Sequence, residues 1–223
     1  MSNLPAETVK TTKETEFTVI WMHGLGADGH DFVSVIPELK LPASLGIKFI
    51  FPHAPIRPVT LNNGMKMRAW YDLLSLDRSK TANEEDVLAS VSTINQMIDE
   101  EIKSGTPSDK ILLAGFSQGG VIALHTGLRY PEKLAGIMAL STYLPFDKNV
   151  IASSSSNQKG IPIFAAHGEY DPVIPFDSFK EYVPVLKAQG YKIQSHSYPM
   201  AHSLCLEEIN DISAWLQEVF KAI

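Results

Sequence analysis

Two kinds of apolar segment alternate along the 223-residue chain. Short runs rich in β-branched and aromatic residues, such as residues 17–22, stop at glycine, proline or histidine, as buried strands do. Longer segments carry apolar residues every three or four positions, and residues 83–104 form the clearest of these, with an acidic first turn and a glycine after the end. The same patterns predict further strands at 47–51, 110–114, 134–140, 162–166 and 191–197, and further helices at 32–39, 121–129, 176–189 and 204–222.

Strands that alternate with helices predict an α/β fold, with a mostly parallel central sheet and helices on both faces. Two segments fit neither pattern: residues 52–76, a long apolar loop, and residues 146–160, a serine-rich surface loop. Residues 1–16 are polar and are expected to form an N-terminal extension or an edge element of the sheet. No repeat or linker divides the chain, so we expect one domain over residues 1–223.

The charge and cysteine content narrow the class of protein. The net charge is −6 without any basic run, which argues against a nucleic-acid partner. One cysteine excludes an intrachain disulfide framework and a multi-cysteine metal site, and it fits a reducing compartment. The first 16 residues lack the apolar core of a secretory signal, and no run approaches the ~18 apolar residues of a membrane span. A cytoplasmic protein is therefore expected.

The segment Gly115-Phe-Ser-Gln-Gly119 matches the pattern G-x-S-x-G. It follows a predicted apolar strand and precedes a predicted helix, which is the context this motif requires. A sharp strand-to-helix turn lifts the serine above the sheet, and glycines on either side avoid clashes. Ser117 is therefore the predicted nucleophile, and the amide of Gln118, at the helix N-terminus, is a predicted donor to developing negative charge.

A serine nucleophile needs a base and a carboxylate that orients the base. In this kind of fold the chain order is serine, then acid, then histidine. Asp171 follows the fifth predicted strand and is the expected carboxylate. Glu169, closer to the strand end, and Asp177, in the start of a helix, are the alternatives.

Two histidines follow Asp171 in the chain, His196 and His202. His196 lies inside the alternating sixth strand, which suits a half-buried structural position. His202 lies in the loop after that strand, from which it can reach back to the serine, and is the predicted base. Cys205 lies neither on a sharp strand-to-helix turn like that of Ser117, here called the elbow, nor beside an oriented base of its own. We therefore expect it to pack at the start of the last helix.

A glycine-rich loop follows the first predicted strand, at His23-Gly-Leu-Gly-Ala-Asp-Gly29. It matches the dinucleotide fingerprint G-x-G-x-x-G, which expects an acidic residue at the end of the second strand. The second strand instead ends in Phe51-Pro-His53, without a carboxylate. We therefore interpret the loop as an oxyanion loop, in which the Leu25 amide pairs with that of Gln118.

The apolar loop at 52–76 is rich in methionine and aromatic residues. Such a segment beside a catalytic turn can form an acyl-chain groove or a mobile lid, and it can equally pack as an ordinary loop on the sheet. Trp70 and Leu73 are the residues that we expect in the wall of a substrate pocket.

With these motifs the chain resembles the acyl-protein thioesterase and small carboxylesterase family of α/β hydrolases, also described as lysophospholipase-like. The likeness covers nearly all of residues 17–221 and departs mildly at Glu169, where family members often have aspartate. It rests on the glycine-rich loop to Phe32, the segments 52–58, 63–64 and 67–72, the elbow, the segment 171–175, and His202.

The resemblance implies an α/β-hydrolase fold, the triad of Ser117, Asp171 and His202, the oxyanion donors Leu25 and Gln118, and a hydrophobic channel near Trp70. It implies a serine esterase without metal or cofactor that hydrolyses acyl esters or thioesters through an acyl-enzyme. Two alternatives stay open: a lysophospholipase acting at membranes, and a catalytically silent hydrolase fold used as a binding module. The apolar loop leaves transient peripheral membrane contact open, and family members often form homodimers.

Overall fold

A computed structural model describes residues 4–42, 44–75 and 82–223. In that part of the chain, seven strands form one sheet: β1 (Ala6–Lys10), β2 (Phe17–Met22), β3 (Ile47–Pro52), β6 (Ile111–Phe116), β7 (Gly136–Leu140), β8 (Pro162–Gly168) and β9 (Lys192–Tyr198). Their order across the sheet is β1-β3-β2-β6-β7-β8-β9. All neighbours are parallel except β1, which runs antiparallel to β3.

Helices cover both faces of the sheet, which confirms the predicted fold class. They are α1 (Val35–Glu38), α2 (Glu84–Lys103), α3 (Gln118–Arg129), α4 (Asp147–Ala152), α5 (Phe176–Ala188) and α6 (Leu206–Lys221). Alternate residues of the strands pack against different helices. Ile20 and Leu113 join one buried cluster with α2, α3 and α5, and Trp21 and Ala114 join another with α1 and α6.

The polar N-terminal segment, expected to form an extension or an edge element, contributes the edge strand β1. Two other segments differ from the sequence-based expectations. Residues 146–160 contain α4 rather than loop alone, with Val150 buried beneath it. Residues 52–76 contain a hairpin of β4 (Ile56–Val59) and β5 (Met65–Arg68), joined by a short turn through Asn63, which has a positive φ; Leu76, the end of the predicted loop, lies outside the described residues.

The parallel strands bring four loops to one edge of the sheet. The loop containing Leu25 follows β2, Ser117 follows β6, Asp171 follows β8, and His202 follows β9. The carboxyl ends of parallel strands are where open α/β sheets bind ligands. No helix within the described ranges is long and apolar enough to cross a membrane.

Candidate active site

Ser117 occupies a strained turn between β6 and α3. Its backbone has φ 55° and ψ −119°, a conformation that residues with a side chain rarely adopt. The turn is held from both sides, since the Ser117 amide donates to the Leu140 carbonyl (2.9 Å) and the Thr142 hydroxyl donates to the Ser117 carbonyl (2.7 Å). The neighbouring strand β7 and the loop after it therefore fix the position of the hydroxyl.

The glycines on either side of the turn are required by space. A Cβ on Gly115 would collide with the carbonyl of Gly119, and a Cβ on Gly119 would collide with the carbonyl of Met22. The backbones of β2 and of the first turn of α3 pass too close for any side chain. The two glycines of the motif G-x-S-x-G are thus required because backbone segments approach each other closely around Ser117.

Asp171 and His202 are joined across two different loops. Nδ1 of His202 lies 2.6 Å from Oδ2 of Asp171, and the other carboxylate oxygen accepts the amide hydrogens of Val173 and Ile174 at 2.8 Å each. Because an ionised carboxylate only accepts, Nδ1 carries the proton and Nε2 is left as a base. The imidazole lies against the ring of Phe116, the residue before Ser117, with ring centroids 4.7 Å apart.

The pKa of Asp171 reflects two opposed effects. Burial raises the pKa of this carboxyl, and the hydrogen bonds from His202 and from the Ile174 and Val173 amides lower it by more, so that the net shift is downward. The group is therefore held ionised behind the imidazole. His167 is also near this carboxylate, with Nε2 at 3.5 Å from Oδ2, but that nitrogen lies 2.8 Å from the Ile174 carbonyl, to which it donates.

The other residues considered from the sequence make contacts away from the Asp171–His202 pair. Glu169 accepts a hydrogen bond from the Ser197 hydroxyl, and Asp177 pairs with Lys180 on the surface of α5. His196 stacks on Phe164 within the sheet layer. Cys205 is half-buried and caps α6, where its sulfur accepts the Glu208 amide at 3.5 Å.

The glycine-rich loop after β2 packs directly against the elbow. A Cβ on Gly24 would lie 3.4 Å from Cβ of Ser117, and the next residue, Leu25, lines the same cavity as Ser117 and Gln118. The amides of Leu25 and Gln118 thus belong to the two loops that meet at the serine. Gln118 is the first residue of the twelve-residue helix α3, where backbone N–H groups point out of the helix end.

His23, which the sequence analysis left without a role, holds the peptide before Leu25. The Ala54 amide donates to Nε2 of His23 at 3.0 Å, so the neutral ring carries its proton on Nδ1 and donates it to the Gly24 carbonyl at 2.7 Å. Burial lowers the pKa of His23 to about 4, which keeps the ring neutral. The sequence feature that could have indicated this role is a histidine placed directly after a strand and before a glycine-rich loop.

The side chain of Gln118 ties the elbow to the segment after the hairpin. Its Oε1 accepts the Trp70 amide at 2.7 Å, and its Nε2 donates to the Tyr71 carbonyl at 2.8 Å. Gln118, the residue after Ser117, therefore positions one wall of the candidate site with its side chain.

A cavity of about 290 Å³ opens above Ser117. Of the two residues predicted for a pocket wall, Leu73 lines this cavity and Trp70 does not. Trp70 is only 1% exposed, and its indole nitrogen donates to the His23 carbonyl at 2.9 Å, so it packs beneath the loop instead of facing the cavity. The full lining is Leu25, Leu61, Asn62, Tyr71, Leu73, Ser117, Gln118, Tyr143, Val173, Ile174, Pro175 and Ser178.

One group of side chains in the described ranges has metal-ligand character. Glu7, His30 and His53 each bring one atom within 4.8 Å of the others, at the edge of the sheet beside β1. Nδ1 of His53 accepts the Gly29 amide at 3.0 Å, so its Nε2 carries the proton and faces Glu7 as a donor. A ligating histidine instead donates from its second nitrogen, so this arrangement favours a hydrogen-bonded contact over a metal site.

Comparison with known proteins agrees with the geometry. The pattern of the Phospholipase/Carboxylesterase family matches residues 4–220. The chain is 42% identical over 210 residues to acyl-protein thioesterase 1 of Neurospora crassa, covering 90% of this chain and 86% of that protein. It is 38% identical over 221 residues to acyl-protein thioesterase 1 of Cryptococcus neoformans, covering 92% of each.

Solved structures show the same fold. The crystal structure of Arabidopsis thaliana SOBER1 superposes with a TM-score of 0.86 at 31% identity, covering 92% of this chain and 99% of that one. Acyl-protein thioesterase 2 of Zea mays superposes with a TM-score of 0.83 at 27% identity, covering 96% and 98%. The chain therefore belongs to the phospholipase/carboxylesterase family of α/β hydrolases and is a serine hydrolase.

Proposed function

We propose that this enzyme hydrolyses acyl thioesters and esters, acylated proteins among them, through an acyl-enzyme on Ser117. The observation that carries the proposal is the 2.6 Å hydrogen bond between Asp171 and His202 beside a strained serine elbow. The names of the relatives, acyl-protein thioesterases, support acylated proteins as a substrate class. The cavity of about 290 Å³ above Ser117, here called the acyl cavity, has apolar walls that suit the acyl part of such a substrate.

The acylation step uses two side chains and two backbone amides. Nε2 of His202 accepts the hydroxyl proton as Oγ of Ser117 attacks the carbonyl carbon, and the carbonyl oxygen becomes an oxyanion. The Leu25 and Gln118 amides donate to that oxyanion. When the tetrahedral intermediate collapses, the bond to sulfur or oxygen breaks, and the imidazolium of His202 protonates the leaving thiolate or alkoxide.

Deacylation repeats the sequence with water. His202 removes a proton from water, which attacks the acyl carbon, and the bond to Oγ breaks while His202 returns the proton to Ser117. The product is a free carboxylic acid. Asp171 stays ionised throughout and stabilises the imidazolium that forms in each step.

Replacing the nucleophile tests this proposal. Ser117→Ala should lose about a thousandfold or more of kcat on a short p-nitrophenyl ester and on an S-acylated peptide, and it should lose labelling by a fluorophosphonate probe. Ser203→Ala, which removes an exposed serine next to the proposed base, is the control and should keep the label. Near wild-type turnover in Ser117→Ala would overturn the assignment, and absence of turnover and label in the wild type would favour a silent binding module.

A second candidate function, hydrolysis of lysophospholipids at a membrane, is favoured by the hairpin β4–β5. Ile56 and Met65 are 64% and 66% exposed on it, Lys66 is an exposed cation beside them, and Leu61 of its turn lines the acyl cavity. Apolar side chains with adjacent cations suit contact with an anionic bilayer. Fatty-acid release from lysophosphatidylcholine, compared with release from an S-acylated peptide, decides between the two substrate classes.

The proposal also includes the setting of the enzyme. A cytoplasmic location is supported by the single cysteine, which is free and fits a reducing compartment. A homodimer is supported by the family resemblance alone. Sedimentation velocity over a range of protein concentrations measures it directly.

A further inference from the structure

A second cavity lies next to the acyl cavity and shares part of its wall. This rear cavity has a volume of about 530 Å³. Two residues, Tyr143 and Ser178, line both cavities. Away from the shared wall, Leu144, Phe146 and Val185 also line the rear cavity.

The shared wall is held by a hydrogen bond between two tyrosines. The hydroxyls of Tyr71 and Tyr143 are 2.9 Å apart, and each tyrosine lines the acyl cavity. Tyr71 is 1% exposed, and its carbonyl accepts the hydrogen bond from the Gln118 side chain at 2.8 Å. The wall is therefore connected on one side to the residue that follows Ser117.

On its other side the wall is anchored to the sheet. Tyr143 follows Thr142, whose hydroxyl donates to the Ser117 carbonyl at 2.7 Å. Both ends of the tyrosine pair are thus fixed relative to the nucleophile. Burial raises the pKa of Tyr143 to about 12, so the phenol stays neutral and can both donate and accept near neutral pH.

We propose that the Tyr71–Tyr143 pair is the end wall of the acyl cavity and sets the length of acyl chain that the enzyme accepts. This inference rests on the proposed function, because it places the acyl group of the substrate in the cavity above Ser117. With the pair closed, an acyl chain has about 290 Å³ available, at the small end of the roughly 300–1,000 Å³ typical of ligand pockets. Short acyl chains are then the preferred substrates.

The rear cavity has the lining that the distal part of a longer chain requires. Leu144, Phe146 and Val185 supply apolar surface, and its charged residues are the carboxylates Asp147 and Glu181. Asp147 is half-buried and Glu181 is exposed, so both carboxylates can keep contact with water while the hydrocarbon end of an acyl group packs on the apolar side chains. Removing the phenol of Tyr143 joins the two cavities and admits that end.

Acyl-chain selectivity tests the proposal. kcat/KM is measured for p-nitrophenyl esters from acetate to palmitate, with the wild type, Tyr143→Ala and Tyr143→Leu, after thermal unfolding has shown that the variants are folded. Each methylene that gains access to an apolar cavity contributes about fourfold. We expect the ratio of kcat/KM for palmitate to butyrate to rise about tenfold or more in both variants.

Two further variants distinguish a specific effect of the end wall from a general loosening of the site. Val185→Phe fills the rear cavity without touching the wall, so it should leave the wild-type profile unchanged and abolish the gain when combined with Tyr143→Ala. Tyr71→Phe combined with Tyr143→Phe removes both hydroxyls and keeps both rings. This double variant should give a smaller shift toward long chains than Tyr143→Ala, because only the hydrogen bond is lost.

The outcomes distinguish this inference from the proposed function. If the wild type hydrolyses the esters and Ser117→Ala does not, but the chain-length profile is the same in Tyr143→Ala and Tyr143→Leu, the end wall is overturned and the proposed function stands. The end wall is also overturned if Val185→Phe does not reverse the gain for long acyl chains, because the acyl chain then lies outside the rear cavity. Loss of ester hydrolysis from the wild type itself would count against the proposed function.

Discussion

The imidazole of His202 donates from Nδ1 to Oδ2 of Asp171 over 2.6 Å, while both hydrogen bonds to Oδ1 come from backbone amides. The carboxylate is thus oriented by backbone amides of its own loop, after β8, independently of the histidine from the loop after β9. The backbone therefore sets the position of the negative charge that faces the imidazole.

Asp171→Asn tests that arrangement. The amide retains the shape of the carboxylate but offers an N–H group to Nδ1, which favours the tautomer with the proton on Nε2. We expect kcat to fall about a thousandfold to ten-thousandfold with KM little changed. Steady-state kinetics on a short p-nitrophenyl ester measure this, with circular dichroism as the check on folding. A loss of less than tenfold would show that Asp171 does not orient the base.

His23→Gln tests the proposed oxyanion loop. The imidazole fixes the Gly24 carbonyl and therefore the plane of the peptide that carries the Leu25 amide. Misplacing one oxyanion donor costs about a hundredfold or more in kcat, with little effect on ground-state binding. We expect kcat to fall by about that factor at nearly constant KM, with fluorophosphonate labelling slowed in parallel. A change in KM alone would assign His23 a purely structural role.

His23 also predicts an acid limit of stability. Burial lowers its pKa to about 4, below the unfolded value of about 6.5, so the unfolded chain binds more protons between these values. Its contribution to the free energy of unfolding is therefore complete above about pH 6.5 and is lost as the pH falls through about 4. Urea unfolding at a series of pH values should show a weaker acid dependence in His23→Gln than in the wild type. Parallel curves would contradict this.

Glu208 predicts a pH dependence of opposite sign. The side chain is fully buried in the first turn of α6, and neither carboxylate oxygen has a partner among the described residues. Burial raises its pKa from 4.5 to about 8, so the folded state binds the proton more tightly. The free energy of unfolding should then decrease as the pH rises from about 4.5 to about 8.

Glu208→Gln removes this titration with little change of shape. We expect the variant to exceed the wild type in stability at about pH 8 by on the order of 2 kcal/mol and to approach it at about pH 5. Urea unfolding of both proteins at the two pH values measures the difference. A stability difference that is independent of pH would mean that Glu208 does not titrate in this range.

The hairpin β4–β5 predicts binding to anionic vesicles. Ile56→Asp combined with Met65→Asp places charge on its exposed apolar side chains and should reduce co-sedimentation with phosphatidylserine-containing vesicles about tenfold. Leu88→Asp, at an exposed apolar position on α2, is the matched control and should bind like the wild type. Equal vesicle binding by all three proteins would exclude the hairpin as the contact surface.

Most of the central sheet was predictable because local periodicity reports burial. Strands β2, β3, β6, β7 and β8 are buried on both faces, and their continuous apolar runs showed this directly. For residues 1–16 the sequence left an extension and an edge element both open, because the burial of β1 alternates only weakly and its pairing with β3 is a non-local contact. The helix α4 was hidden in the same way, since its packing depends on the distant α3.

By itself, the sequence determined the alternation of strands and helices and the order of the chemistry along the chain, because turn glycines, strand ends and the elbow motif are local. Only the tertiary structure decided what faces the serine. Trp70 packs beneath the site while its neighbour Tyr71 reaches Tyr143, 72 positions away, to form the wall of the acyl cavity. The physical reason is that a side chain's direction depends on what packs around it, and those neighbours come from strands and loops that are far apart in sequence.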